Sequence, residues 1–146
     1  MKKIRAWLPA VLFMGFIYMM SAAPGETSSA QSGLVVEVFL WVWRLFTGGE
    51  QPSPDALSLL SLLVRKAAHM SEYAVLALLY LRALRLEGKT HPFAKAFVLC
   101  VIYAASDEFH QAFVPGRGPS PVDVAIDAAG GALGLFFARI YLRLRP

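Results

Sequence analysis

Four long apolar runs separated by short polar breaks set the pattern of the chain. The first, AWLPAVLFMGFIYMMSAA, follows the basic opening MKKIR and predicts a membrane span over residues 6–23. A basic start, an apolar stretch and Ser21-Ala22-Ala23 also describe a cleavable signal peptide. On either reading, residue 24 onward begins outside the cytoplasm. PGETSSAQSG is a loop by composition. LVVEVFLWVWRLF, residues 34–46, is apolar but too short for a hydrocarbon layer about 30 Å thick. With Glu37, Arg44, Trp41 and Trp43 it reads as a short amphipathic segment lying at the interface.

Ser53 and Pro54 form an N-cap and first helical residue, opening a helix over 54–84 whose span covers about 60–84. A third apolar helix runs over 92–113, with a span to about 112. VPGRGPS is a turn on its glycines and prolines, and a fourth helix covers 121–144, with its span ending near 142. No internal repeat is evident. The expected architecture is all-α: residues 1–146 as one integral membrane domain, a bundle of four transmembrane helices plus the interfacial segment.

Composition supports this reading. Hydrophobic residues make up 57% of 146 residues, more than a core this small can hide from water. A lone cysteine, Cys100, excludes an intramolecular disulfide. The net charge of +4 does not form a soluble basic face, and nucleic acid is not an expected partner. The bilayer is. With four spans and both termini cytoplasmic, the inner side carries Lys2, Lys3, Arg5, Arg82, Arg85, Lys89, Lys95, Arg139, Arg143 and Arg145. That is ten of 14 basic residues, while nine of 10 carboxylates fall outside, a positive-inside pattern for a multi-pass cytoplasmic-membrane protein.

Depth then gathers the polar chemistry. Counted from Leu84 at about 1.5 Å per residue, Glu72, His69 and Lys66 lie about 18, 22 and 27 Å up the second span. Counted from Phe93, Asp107 and His110 lie about 21 and 25 Å up the third. Asp123 and Asp127 sit about 3 and 9 Å below the outer boundary on the fourth. Three helices therefore place a carboxylate in one layer near the outer face.

The faces agree with the depths. Lys66, His69 and Tyr73 share one face with Glu72 beside it, and Asp107, His110 and Gln111 form an i, i+3, i+4 stripe. Asp123, Asp127, Gly130 and Gly134 form another, its glycines a seam for close helix approach. Ionisable groups at such depth face an interior or a wet cavity, so an outward-facing polar pocket is expected.

The plainer readings differ by residue. Asp123 caps the fourth helix as the last member of Ser120-x-x-Asp123. Arg117 and Glu108 sit in an aqueous turn, and Lys66 snorkels to the headgroups. The remaining acids and histidines form a polar network that sets helix register.

Against these stand two sharper chemistries. His69-x-x-Glu72 and Asp107-x-x-His110 each place two potential ligands on one helix face, so a divalent metal is a possible cofactor. Alternatively, crowded carboxylates share a proton and a nearby histidine performs acid–base work. The catalytic candidates are His69, Glu72, Asp107, His110 and Asp127. Lys66, Tyr73, Glu108, Gln111, Arg117 and Asp123 are the ligand-binding candidates, with Lys66 and Arg117 suited to a lipid phosphate. A transporter would need a polar route inward, which AVLALLYL and FVLCVIYAA do not provide.

KAAHMSEYAVLALL, SDEFHQAFVPGRGPSPVDVAIDAAGGALG and FIYMMSAAPGETSSAQS together resemble the VanZ-like family of small bacterial membrane proteins, with the weakest likeness over residues 33–60. The resemblance carries all eleven site residues above into the family pattern. It implies a cell-envelope role and brings no defined biochemical activity. The family's name-giving member is linked to low-level resistance to teicoplanin, a glycopeptide that binds cell-wall precursor outside the membrane. A lipid or cell-wall precursor is accordingly the expected ligand.

Overall fold

In the computed structural model, residues 2–23, 25–48 and 51–144 are described, with their side chains except at residues 2, 25–32 and 34. Arg145, Glu50 and the side chains of Lys2 and Glu26, all used in the charge count above, lie outside the described residues. Regular structure among the described residues is α-helix throughout: α1 Lys2–Ser21, α2 Gly25–Thr47, α3 Pro54–Leu86, α4 Pro92–Gln111 and α5 Pro121–Leu144.

Local chemistry sets several of these boundaries. Ser53 Oγ accepts the Ala56 N–H at 3.3 Å, and Pro54 follows where no donor is needed. At the other end of α3, Gly88 adopts a φ of 65°. Its N–H reaches Arg85 O at 3.0 Å and the Lys89 N–H reaches Leu84 O at 3.0 Å, the double bond of a Schellman stop. His91, at a φ of 52°, then turns the chain into Pro92, which opens α4.

The expected loop at 24–33 needs correction. From Gly25 the chain is helical and continuous with the segment at 34–46, giving one helix of 23 residues instead of a loop and a short segment. Serine and threonine are only mildly poor helix formers, glutamine is a good one, and Gly33 is the one strong detractor inside the run. Packing overrides so weak a prior. Val36 is buried on α2, and α2 packs along α3.

By length and composition, two helices among the described residues are apolar enough to cross a membrane, α1 from Lys3 and α5. Polar and charged residues, several of them from the predicted site, lower the apolar character of the other two expected spans. Those on α3 include Arg65, Lys66, His69 and Glu72, and those on α4 include Lys95, Asp107 and Glu108. Large apolar side chains cover the outside of every helix, among them Leu12 at 65%, Phe109 at 69% and Phe137 at 64% exposure. Soluble monomers rarely present so much contiguous apolar surface.

α3 is the centre of the bundle and packs on all four other helices. Its closest neighbour is α5, for a reason visible atom by atom. A Cβ on Gly130 would lie 2.7 Å from Met70 Cα, and one on Gly134 would lie 2.8 Å from Ala74 O. Gly131 meets Cys100 Sγ of α4 in the same way, at 2.6 Å. The predicted glycine seam is therefore where backbones touch. Tyr73, Leu76, Ala77, Tyr80, Cys100, Ala104 and Leu135 fill the core, joined by Ala10 and Ile17 of α1. α1 is also tied by hydrogen bonds from Trp7 Nε1 to Glu87 at 3.0 Å and from Tyr103 OH to Met14 O at 2.6 Å.

Candidate functional site

The polar residues predicted from depth and face collect at one end of the bundle, where α1 finishes and α5 begins. α5 brings Asp123 and Asp127 down one face, and its glycines press that face against α3. Lys66 of α3 consequently pairs with Asp123. One turn further along α3, His69 Nδ1 stands 3.7 Å from Glu72 Oε2. From α4, buried Asp107 accepts a hydrogen bond from Gln111 Nε2 at 3.1 Å.

Arg117 extends this chain into the α4–α5 turn. It donates to Gln111 Oε1 at 3.4 Å, to Ala23 O at 3.1 Å and to Met20 O at 3.4 Å. A cation on the last carbonyls of α1 satisfies acceptors that the helix leaves open and complements its negative end. Burial holds the Arg117 pKa below the ordinary arginine value, with the Asp107 charge opposing it. Arg117 is thus engaged with its own protein, as is Lys66.

Two plain expectations are overturned. Glu108 is not in an aqueous turn but is buried in α4. Its Oε1 accepts the Ser120 N–H at 2.5 Å, the bond that Asp123 would make in a capping box. Glu108 caps α5 from another helix, and Asp123 is released to Lys66.

The pocket itself is small. Lys66, His69, Glu108, Gln111, Asp123, Ile126 and Asp127 enclose a cavity of about 10 Å³, room for about one water. Asp127 is buried on its wall. Glu72, Tyr73, Asp107, His110 and Arg117 are not among the residues lining this cavity. Tyr73 is fully buried with its ring 6.2 Å from that of Tyr103. The His110 ring packs 4.5 Å from Tyr18 of α1.

The expected meeting of the His69–Glu72 and Asp107–His110 pairs does not take the form of direct bonds. No hydrogen bond joins the two pairs among the described residues, and no three histidine, cysteine or carboxylate side chains there converge as a metal ion would require. A metal held jointly by His69, Glu72, Asp107 and His110 does not fit this arrangement. The residues remain in one layer, yet no three of them converge on a common point.

Polar demand in the layer exceeds its internal supply. Ser21 Oγ, Arg65 Nε, His69 Nδ1, Tyr73 OH, Asp107 Oδ1 and His110 Nε2 are buried without a hydrogen-bond partner among the described residues. Such atoms are few in ordinary cores, and their concentration in one layer marks a place built for polar contents.

Sequence reasoning missed the part played by α1. Tyr18 against His110, buried Ser21, and the Met20 and Ala23 carbonyls held by Arg117 all belong to the wall of the site. A usable signal existed, because Tyr18 and Ser21 stand one helical turn apart. Ser21 instead drew notice as part of a small-residue cleavage pattern.

No curated protein and no solved structure matches the chain. A family model described as VanZ/LLP1 matches residues 6–142, which include every residue of the polar layer. The chain belongs to the VanZ/LLP1 family.

Proposed function

We propose that this is a multi-pass protein of the cell envelope in which α1, α3, α4 and α5 cross the cytoplasmic membrane. Both termini lie in the cytoplasm, and the polar layer faces outward to bind or modify a lipid-linked or cell-wall-related molecule. The observation that carries the reading is the convergence of Lys66, His69, Asp107, Gln111, Asp123 and Asp127 at one end of an apolar-coated bundle. Membranes tolerate ionisable clusters chiefly where function requires them.

The size of the cavity refines the proposal. A space of about 10 Å³ admits no headgroup, so a lipid phosphate or sugar would engage the rim after Lys66 and Asp123 part. A second reading, a membrane-embedded hydrolase or transferase on a phospho- or glycolipid, rests on the His69–Glu72 pair beside that cavity. A histidine with a carboxylate 3.7 Å away suits proton transfer to or from a bound group. Shielding of cell-wall precursor is how the protein would contribute to glycopeptide resistance.

The deciding experiment purifies the full chain, identifies copurifying lipid by mass spectrometry, assays bound metal, and repeats both with His69→Ala and Asp107→Asn. A defined lipid retained by the wild type and lost from both variants supports a site in this layer. Retention by both variants with no product formed favours a non-catalytic scaffold over an enzyme. No specific lipid in any preparation would sink the binding proposal. Fusion of a reporter after Arg85 tests topology separately, and activity found only outside the cytoplasm would overturn the four-span arrangement.

A further inference from the structure

The opposite end of the bundle carries a second feature. Between the start of α4 and the last half of α5 runs a groove of about 700 Å³. Phe93, Phe97, Leu135 and Phe136 form its walls, with His91 and Arg139 also lining it. An adjoining hollow of about 260 Å³ shares Phe136 and Arg139 and adds Arg143. Phe97 is 37% and Phe136 57% exposed, so the trough opens on the outside of the bundle.

Charge around the groove is one-sided. Arg82, Arg85, Lys89, Lys95, Arg139 and Arg143 lie towards this end against Glu87, which already accepts from Trp7 and pairs with Lys89 at 3.6 Å. Among the described residues, Arg139 and Arg143 have no ion-pair partner. An apolar trough bounded by guanidinium groups that have no ion-pair partner among the described residues complements an amphiphile with a hydrocarbon chain and an anionic head. In a bilayer, basic pockets between helices on the cytoplasmic side recognise acidic headgroups.

We infer that the α4–α5 groove is a binding site for an acidic glycerophospholipid of the inner leaflet. Arg139 and Arg143 hold its phosphate, and its acyl chain lies along Phe93, Phe97 and Phe136. The inference rests on the membrane reading of the chain and is independent of what the outward polar layer does.

Native mass spectrometry of the full chain in detergent tests it, with phosphatidylglycerol and phosphatidylcholine offered at equal concentration. The wild type should retain phosphatidylglycerol preferentially, and Arg139→Gln should weaken that retention roughly fivefold. Lys95→Gln removes the same charge from the same end without touching the groove and should retain the lipid. Ala132→Phe fills the groove without changing charge and should also lose it. Equal retention of the two lipids, or equal loss in Lys95→Gln and Arg139→Gln, would overturn the site in favour of diffuse attraction. Comparison of those two variants decides the matter even if Ala132→Phe does not fold. A chain that leaves the membrane fraction in alkaline carbonate would defeat the membrane reading itself, whereas a membrane-integrated chain without lipid preference defeats only this inference.

Discussion

Glu108 of α4 accepts the backbone N–H of Ser120 at 2.5 Å and so caps the start of α5 from across the bundle. That bond ties the two helices of the site together at the point where the chain passes between them. It also decides the fate of Asp123, which would otherwise cap its own helix.

Loss of this cap should be measurable. Glu108→Ala should lower stability by about 0.5–2 kcal/mol, the usual range for a removed N-cap acceptor. Glu108→Gln keeps an oxygen for the Ser120 N–H and should lose less. Thermal unfolding in detergent ranks the two, and a larger loss in the glutamine variant would contradict the assignment.

Lys66 and Asp123 should couple energetically. Their side chains are 27% and 31% exposed, so water screens the pair and a coupling of about 0.5–1 kcal/mol is expected. A double-mutant cycle with Lys66→Met and Asp123→Asn measures it. Each single variant leaves a charge unpartnered, so the double variant should be more stable than the sum of the losses predicts. Strict additivity would show that the pair contributes nothing.

The glycines should differ in rank. Gly130→Ala drives a methyl group into the Met70 backbone and should destabilise by at least the 1–3 kcal/mol typical of overpacking. Gly134→Ala, against the Ala74 carbonyl, should cost somewhat less. Gly15→Ala meets nothing within 4 Å and should be neutral or gain up to about 1 kcal/mol from helix propensity. Folded yield and melting temperature in detergent provide the order.

Arg117→Lys should loosen the end of α1. The guanidinium satisfies three acceptors on separate nitrogens, and an ammonium on a flexible stem does not reproduce that fork. Hydrogen exchange of the last turn of α1 should accelerate while the middle of α3 is unchanged. Unaltered exchange near Met20 would show that Arg117 does not hold this helix end.

Much of this was legible in the chain. Ser53-Pro54 announces the start of α3, and the 4-3-4 spacing of Asp123, Asp127, Gly130 and Gly134 announces a face with both acid and close contact. Counting residues along the helices placed the polar groups of α3, α4 and α5 in one layer. The loop expected at 24–33 misled because composition reports weak helix propensity, whereas packing of α2 on α3 is a tertiary effect. The one-turn spacing of Tyr18 and Ser21 marks a polar face on α1, but nothing local to α1 says that this face meets α4.

The positions of α1, α3, α4 and α5, the polar faces and the glycine seam follow from the sequence alone, because helical periodicity is local and position along a helix is a count of residues. Pairing was decided by tertiary structure. Which acid caps α5, which one meets Lys66, where Arg117 points and how little room remains beside Asp127 all depend on the rotation and offset of one helix against the next. Backbone contact at Gly130 and Gly134 sets that offset for α3 and α5, and such a contact exists only once the helices are packed.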